Sequence, residues 1–216
     1  MRIIVTGDTH GAHRELGAVT GDLLIHCGDF ENLFEPDAGV LADVDDWFGS
    51  HQVEHVVCIG GNHDRALQER SRSRGQPFKN ATYLRDDGFE WRGVKIHGSP
   101  WVPQLRGHAY YADEEWLEQA WANIPGDVDV LITHTPPAGT LDVSSSGRSH
   151  GCPLLADRMT DISPSLHCFG HVHASAGVAQ KGRTTHVNAS AVKGNYQIAT
   201  APFVFDRDDT GGWRQA

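Results

Sequence analysis

Residues 3–10 have the sequence IIVTGDTH, in which four apolar or β-branched residues are followed by a glycine, an aspartate and a histidine. A short apolar run that ends at a glycine is typical of a strand buried in the interior of a sheet. The same arrangement recurs along the chain, with a polar side chain after each run. The predicted strands are Ile3–Thr6, Leu23–Cys27, His55–Ile59, Val130–Thr133 and Leu166–Phe169.

Two segments with helical spacing of apolar residues lie between these runs. One covers about residues 38–49, and the other covers Asp113–Asn123, whose acidic first turn suits the positive end of a helix dipole. Further strand-like segments, with a hairpin around Gly182, are Trp91–Gly98, Gly177–Ala179, Thr184–Asn188 and Phe203–Asp206. Together these elements predict an α/β chain in which two mixed sheets pack face to face with helices outside. We expect a single domain over residues 1–216, with a frayed tail over 207–216.

Composition and charge exclude several classes of protein. The 216 residues include 18 Lys and Arg against 28 Asp and Glu, a net charge of −10, which disfavours wrapping around a nucleic-acid backbone. No apolar run approaches the ~18 residues that a transmembrane helix needs. Charged residues occur too early for a secretory signal, so we expect a cytoplasmic protein whose four cysteines stay reduced.

Polar side chains follow the predicted strands at the point where each strand ends. Open α/β folds carry their sites at the carboxyl edge of the sheet, so these side chains are expected to converge. The candidate metal ligands are Asp8, His10, Asp29, Asn62, His134, His171 and His173. Carboxylate, amide oxygen and imidazole suit manganese, iron or zinc, and seven ligands exceed one tetrahedral site.

The ligand set fits two divalent cations about 3.5–4 Å apart with one shared carboxylate, and we assign Asp29 as that bridge. The first cation then takes Asp8, His10, Asp29 and His173, and the second takes Asp29, Asn62, His134 and His171. Two divalent cations and two ionised aspartates leave a local charge of about +2. Such a site attracts phosphate even in an acidic protein, so a phosphoester is the expected substrate class.

The expected chemistry is hydrolysis by a metal-bound hydroxide, because a metal lowers the pKa of bound water to about 7. His63 lies between Asn62 and Asp64 in the sequence and is expected to protonate the leaving oxygen. Asp64 is expected to hold the imidazole and raise its pKa. Asn62 and His63 are also candidate substrate contacts.

Two arginines in polar loops, Arg106 and Arg148, are further candidate contacts to phosphate, although solvated loop charges are the alternative. Three aromatic residues, Trp101, Tyr110 and Tyr111, would either stack on a nucleobase or belong to the core.

The motifs, in this order, resemble those of the calcineurin-like metallophosphoesterase superfamily, whose pattern is D-x-H, G-D, G-N-H-[DE], H and G-H-x-H. The matching segments are Asp8–His10, Gly28–Asp29, Gly61–Asp64, His134 and Gly170–His173. The resemblance covers residues 2 to 206. It implies a four-layer αββα fold, metal-dependent phosphoester hydrolysis and the ligand roles assigned above.

Intervening segments are similar to the metallophosphoesterase-domain-containing (MPPED, UPF0046-type) branch, which is tied to cyclic-nucleotide phosphodiesterase activity. They are Asp22–Phe30, Gly98–Trp101, Thr133–Pro137 with Leu141–Asp142, Leu166–His171 and Asn188–Ser190. Thr135 stands where that branch commonly has glycine, which could affect how a substrate fits beside His134.

We therefore expect a phosphodiesterase of small nucleotides with two divalent ions, manganese first and iron, zinc or cobalt as alternatives. A nucleotide-binding regulator with negligible turnover, a phosphomonoesterase and a nuclease are the competing functions.

Overall fold

The computed structural model of the chain describes residues 1–32, 39–72, 75–208 and 211–216. In chain order its strands are β1 (Arg2–Thr6), β2 (Leu23–His26), β3 (His55–Cys58), β4 (Thr82–Tyr83), β5 (Asp87–Trp91), β6 (Val94–Ser99), β7 (Val130–Thr133), β8 (Leu166–Phe169), β9 (Gly177–Lys181), β10 (Thr184–Asn188), β11 (Phe203–Arg207) and β12 (Trp213–Gln215). Its α-helices are α1 (Val40–Phe48), α2 (Arg65–Arg70), α3 (Glu114–Ala122) and α4 (Pro153–Ile162).

The described strands form two mixed sheets, as the sequence predicted. The first has the order β12-β11-β1-β2-β3-β4 and the second has the order β5-β6-β7-β8-β10-β9. Strands β1, β2 and β3 are parallel neighbours, and so are β6, β7, β8 and β10. Parallel pairing aligns the carboxyl ends of these strands at one edge of each sheet.

Successive side chains of β1 point to opposite faces of the first sheet and so show what packs against each face. Ile3 and Val5 belong to the apolar core that also holds Ile132 of the second sheet, so the two sheets pack face to face. Ile4 points the other way and packs with apolar residues of α1 such as Val44. Each sheet therefore buries both faces, which explains why its central strands are continuous apolar runs.

Three sequence expectations are refined by the structure. The hairpin around Gly182 is confirmed, because β9 and β10 pair antiparallel across that glycine. The segment Trp91–Gly98 is the junction of two antiparallel strands, β5 and β6, that turn at Arg92 and Gly93. Helix α1 begins at Val40, and residue 38 of the predicted helix lies outside the described residues.

The expectation of a frayed tail over 207–216 is wrong for the described part of that segment. β12 pairs antiparallel with β11 at the edge of the first sheet, and the Trp213 indole N–H donates to the Ser165 hydroxyl at 2.9 Å. Residues 209 and 210 lie outside the described residues. No helix in the described segments is both long and apolar enough to span a bilayer.

Candidate metal centre

The seven side chains predicted as ligands come together where the two sheets meet. Asp8 and His10 follow β1, Asp29 follows β2 and Asn62 follows β3, whereas the remaining three follow β7 and β8 of the second sheet. Contacts between the two groups are short: the Asn62 Oδ1 atom lies 2.9 Å from Nε2 of His134. Because each sheet supplies part of the set, the cluster exists only when both sheets are packed.

One half of the cluster contains Asp8, His10 and His173, whose ligand atoms lie within 4.8 Å of one another. The Nδ1 atom of His10 lies 3.2 Å from the Glu31 carbonyl oxygen, which can only accept, so Nδ1 carries the proton. Its lone pair is therefore on Nε2, which faces Nε2 of His173 at 3.2 Å. This is the orientation that a histidine needs to bind a cation.

The other half contains Asn62, His134 and His171. The Asn62 Oδ1 atom lies 2.9 Å from His134 Nε2 and 2.8 Å from His171 Nδ1. His134 is oriented by its second nitrogen, because Nδ1 donates to the Cys27 carbonyl at 2.8 Å, so Nε2 faces the cluster and can bind a cation once its proton is released. An amide oxygen and imidazole nitrogens converging in a buried place are suitable ligands for a transition-metal cation.

The two aspartates each keep one oxygen free. Oδ2 of Asp8 accepts from the His171 backbone N–H at 2.7 Å and from the Ser190 hydroxyl, whereas buried Oδ1 has no hydrogen-bond partner among the described residues. Asp29 Oδ1 accepts from the His63 backbone N–H at 2.8 Å, whereas its buried Oδ2 likewise has none. Unpartnered buried carboxylate oxygens are costly, so both atoms fit cation ligands.

The free oxygen of Asp29 lies between the two halves. Oδ2 is 3.8 Å from Nε2 of His10 on one side and 3.3 Å from Nε2 of His134 on the other. Of the carboxylates in the cluster, Asp29 therefore has the position that suits a bridge between two cations.

The backbone at these residues is held in an unusual conformation. Asp8, His10, Asp29 and His171 all have positive φ, with values of 46°, 44°, 58° and 70°. This left-handed region is sparsely populated by residues other than glycine, and such conformations cluster at functional sites. The polar turns after the strands are thus shaped to aim ligands, at a cost in backbone energy.

Two glycines beside the ligands leave room that a side chain would fill. A Cβ on Gly61 would lie 2.2 Å from Asp29 Oδ1, and a Cβ on Gly170 would lie 2.6 Å from Asp8 Oδ2. The glycines of the G-N-H-D and G-H-x-H motifs are therefore required by the close approach of the aspartates.

The buried charges shift the pKa of several members in the metal-free protein. Burial opposes the charged form of His134, but Asp29 and Asp8 together outweigh it and raise the pKa of His134 to about 9. Burial works against the charge of Asp29 as well, yet the neighbouring histidines, His134 first, hold the pKa of that carboxyl well below its usual range. Burial lowers the pKa of His171 to about 3. Without metal, the centre thus contains an ion pair between a protonated His134 and an ionised Asp29.

The expectation that Asp64 holds the His63 imidazole and raises its pKa is wrong. The Asp64 carboxylate instead accepts four backbone N–H bonds, from Asp29 (2.8 Å), Phe30 (2.7 Å), Glu31 (3.0 Å) and Gly61 (2.7 Å). It therefore joins the loop after β2 to the loop after β3.

The His63 ring is placed by Asn62 instead, whose Nδ2 lies 2.9 Å from its Nε2. Burial lowers the pKa of His63 to about 4, although the Asp29 charge opposes this.

A cleft of about 420 Å³ opens over the cluster. Its lining includes Asn62 and His63, which were predicted to contact substrate, together with Tyr196, His108 and His150, which sequence reasoning missed. Tyr196 also has a positive φ of 58°, and its ring packs edge-on against His10 at 4.9 Å.

The two predicted arginines do not line the cleft. Arg106 is exposed, with its guanidinium over the Tyr111 ring. Arg148 is exposed too, and its backbone carbonyl accepts a hydrogen bond from the Ser144 hydroxyl. Thr135 is fully buried, so its side chain does not lie in the cleft either.

Two of the aromatic residues considered for stacking, Trp101 and Tyr110, belong to the core. Trp101 donates to Asp86, and Tyr110 is hydrogen-bonded to Tyr83.

Comparison with known proteins agrees with this architecture. The family model of the calcineurin-like phosphoesterases matches residues 1–175, and the chain belongs to that family. Metallophosphoesterase domain-containing protein 1 of Homo sapiens is 35% identical over 231 residues, covering 95% of this chain and 70% of the relative. UPF0046 protein K07C11.7 of Caenorhabditis elegans is 35% identical over 218 residues, covering 95% of this chain and 74% of the relative. The resemblance to the MPPED and UPF0046-type branch is thereby confirmed.

Solved structures share the fold at low sequence identity. One solved chain superposes with a TM-score of 0.67 at 15% identity, covering 100% of this chain and 98% of its own length. GAP50, the anchor in the inner membrane complex of Plasmodium, gives a TM-score of 0.53 at 12% identity, covering 95% of this chain and 80% of that one. At these identities the likeness concerns the fold alone.

The replacement Asp64→Asn is expected to lower both stability and metal content, although Asp64 offers no ligand atom to the cluster. An amide NH₂ would face backbone N–H donors, which costs about 2–3 kcal/mol of unfolding free energy and loosens the loop carrying Asp29. Denaturant unfolding and elemental analysis after manganese loading measure both effects. Asp46→Asn, at an exposed carboxyl, is the matched control. Normal metal content in Asp64→Asn would contradict the role of this carboxylate.

Metal affinity is expected to weaken as the pH falls, because His134 holds a proton below about pH 9 in the metal-free protein and a cation must displace it. Release of one proton corresponds to about a tenfold loss of affinity for each pH unit below 8. Calorimetric titration of chelator-treated protein with Mn²⁺, in two buffers of different ionisation enthalpy, counts the released protons directly. An affinity that stays constant between pH 6.5 and 8 would refute this proton competition.

Proposed function

We propose that the protein is a metal-dependent phosphodiesterase that hydrolyses diesters of small nucleotides, with two divalent cations at the cluster. Membership of the calcineurin-like phosphoesterase family makes a phosphoric ester the substrate class. The observation that carries the rest is the free oxygen of Asp29, which lies between a ligand group on each side. Loss of this shared carboxylate would remove a ligand from both proposed cations.

The residues present fit the two cations. Asp8, His10 and His173 would hold the first, Asn62, His134 and His171 would hold the second, and Asp29 would contact both. The mixture of carboxylate, amide and imidazole ligands suits Mn²⁺, with iron, zinc and cobalt as alternatives. When bound, the cations would offset the charge of a phosphate and make water ionise near neutral pH.

The cleft supports a diester over a monoester. Among its lining residues as described, none is a lysine or an arginine. A phosphomonoester carries nearly two negative charges at neutral pH and gains from extra cationic side chains, whereas a diester carries one. The lining offers amide and imidazole nitrogens instead, from Asn62, His108 and His150. The single negative charge of a phosphodiester therefore suits this lining better than the two charges of a monoester.

The same lining disfavours a long nucleic acid as substrate. Binding of a polynucleotide backbone depends on a series of Lys and Arg contacts to successive phosphates. The cleft lining supplies none, and the chain as a whole carries a charge of −10. A volume of about 420 Å³ is within the usual range for a small-molecule site.

His63 lies at the boundary between the cluster and the cleft, with 13% of its side chain exposed. Its low pKa keeps the ring neutral in the free protein, and the negative charge of a bound phosphate would favour its protonation. A protonated His63 beside the phosphate would then donate to the leaving oxygen. Asn62 holds the neutral ring in place before this step, because its Nδ2 donates to Nε2 at 2.9 Å, and that hydrogen bond is released when Nε2 takes the proton.

A substrate screen with added Mn²⁺ tests the proposal. Cyclic nucleotides and bis(p-nitrophenyl) phosphate are expected to exceed p-nitrophenyl phosphate in kcat/KM by at least about tenfold, because the cleft lacks extra cations for a dianion. The control Asp29→Asn, which retains side-chain volume, should lose both metal and turnover. A preference for the monoester would overturn the phosphodiesterase assignment. Tight nucleotide binding without turnover would instead favour a nucleotide-binding regulatory protein of the same fold.

The replacement His63→Ala is expected to lower cyclic-nucleotide turnover by about 100-fold or more while metal content stays normal. Bis(p-nitrophenyl) phosphate, whose leaving group needs no proton, should lose much less. His108→Ala is the comparison for loss of another imidazole from the cleft, since its ring lies beside His63 with centroids 5.6 Å apart, and it should affect both substrates alike. Equal losses on both substrates would count against proton donation, and loss of metal would make His63 a ligand.

A further inference from the structure

A second cavity lies apart from the cleft described above. It has a volume of about 250 Å³ and is lined by the β9–β10 turn, the second half of α4 and the loop after β7. It shares no lining residue with the metal-centre cleft. Its apolar wall is formed by residues such as Pro137, Ala156 and Met159.

Two cationic side chains, Lys181 and Arg183, line this second cavity. Its described lining residues include no aspartate or glutamate to balance their charge. The Lys181 ammonium donates one hydrogen bond, to the Gly139 carbonyl at 2.7 Å, so two of its three N–H donors remain. The Arg183 guanidinium, exposed at the turn, has no hydrogen bond or ion pair to the described residues. Uncompensated positive charge in an acidic protein points to an anionic ligand.

The inner wall of the second cavity is His186, which is only 3% exposed and belongs to a buried chain of hydrogen bonds. The chain begins at the Thr133 hydroxyl, which donates its proton to the Thr135 carbonyl at 2.7 Å. That hydroxyl must then accept from Nε2–H of His167 at 2.8 Å. Burial lowers the pKa of His167 well below its usual range, so this ring carries a single proton.

The remaining contact settles which atom His186 presents. Nδ1 of His167 has no proton, so Nδ1 of His186 must donate across the 3.3 Å between them. Burial, with some help from Lys181, lowers the pKa of His186 to about 4, so this ring is neutral too. Its Nε2 atom is therefore a lone-pair acceptor, and among the described residues the hydrogen bond of this ring is the one that Nδ1 makes to His167. The ligand is expected to offer a hydroxyl or N–H donor there.

We propose that the second cavity is a binding site for a phosphorylated polyol, such as a sugar phosphate or a nucleoside monophosphate. Lys181 and Arg183 bind the phosphate, a hydroxyl of the ligand donates to Nε2 of His186, and the apolar wall covers the carbon skeleton. The Thr184 hydroxyl, on the same strand and face as His186, is a further polar contact. The site is independent of the activity proposed for the metal centre.

Calorimetric titration of the manganese-loaded protein with ribose 5-phosphate tests the proposal. The double variant K181Q/R183Q is expected to lose this binding event, with an affinity loss of about tenfold or more, because charged hydrogen bonds are removed. The control R70Q/K79Q changes the net charge equally at exposed positions outside the second cavity and should bind normally. Turnover at the metal centre should be unchanged in both variants, and the melting temperature should be unchanged in the control.

The double variant also removes the hydrogen bond from the Lys181 ammonium to the Gly139 carbonyl, which could disturb that loop. The single variant R183Q keeps this hydrogen bond and separates ligand binding from the structural effect. It should weaken ribose 5-phosphate binding without lowering the melting temperature. Equal binding by wild type, R183Q and K181Q/R183Q would overturn the site. Inorganic phosphate is expected to bind more weakly than ribose 5-phosphate, and ribose not to bind measurably. Equal affinity for inorganic phosphate and ribose 5-phosphate would refute the contribution of His186 and the polyol.

Discussion

The constraint on which the site depends is the burial of two carboxylates, Asp8 and Asp29, in the same interior. Each has one oxygen that accepts hydrogen bonds and one buried oxygen that accepts none from the described residues. Two anions in such a place need positive charge nearby, which His134 supplies as a proton in the metal-free protein. The arrangement of imidazoles and amide around them follows from this need.

The strained turns and the close-fitting glycines belong to the same constraint. Positive φ at Asp8 and Asp29 directs both carboxylates inward, and Gly61 and Gly170 leave the space that they fill. Strain of this kind persists only where the surrounding structure determines the backbone. Here the surroundings are rigid central strands buried on both faces, together with the Asp64 carboxylate, which fixes two neighbouring loops through four backbone N–H groups.

Much of the fold and the ligand set was predictable because parallel strands put their carboxyl ends at one edge. Runs such as Ile3–Thr6 marked the strands, and the polar residue after each run marked a candidate ligand. Adjacency in sequence was a poorer guide to side-chain direction. Asp64 follows His63 directly, yet the turn sends its carboxylate back to the backbone of residues 29–31. Neither spacing nor composition carries that information.

Features that no motif marks, and that depend on the surrounding fold, were also beyond the sequence. The strand Trp213–Gln215 is three residues long and forms through its partner β11, so the segment alone resembles a disordered end. Arg106 and Arg148 have suitable chemistry, but the path of their loops decides their position. Tyr196 lies outside every motif, and like several candidate ligands it has a positive φ where it reaches the site.

The candidate ligands come from both sheets, four from the ends of β1, β2 and β3 and three from the ends of β7 and β8. The sheets otherwise meet mainly through apolar side chains, which resist separation without directional bonds. Cations bound at this junction would act as cross-links between the two halves of the sandwich. Occupancy and the free energy of unfolding would then be linked, so the supply of metal in the surroundings would tune the stability of the folded chain.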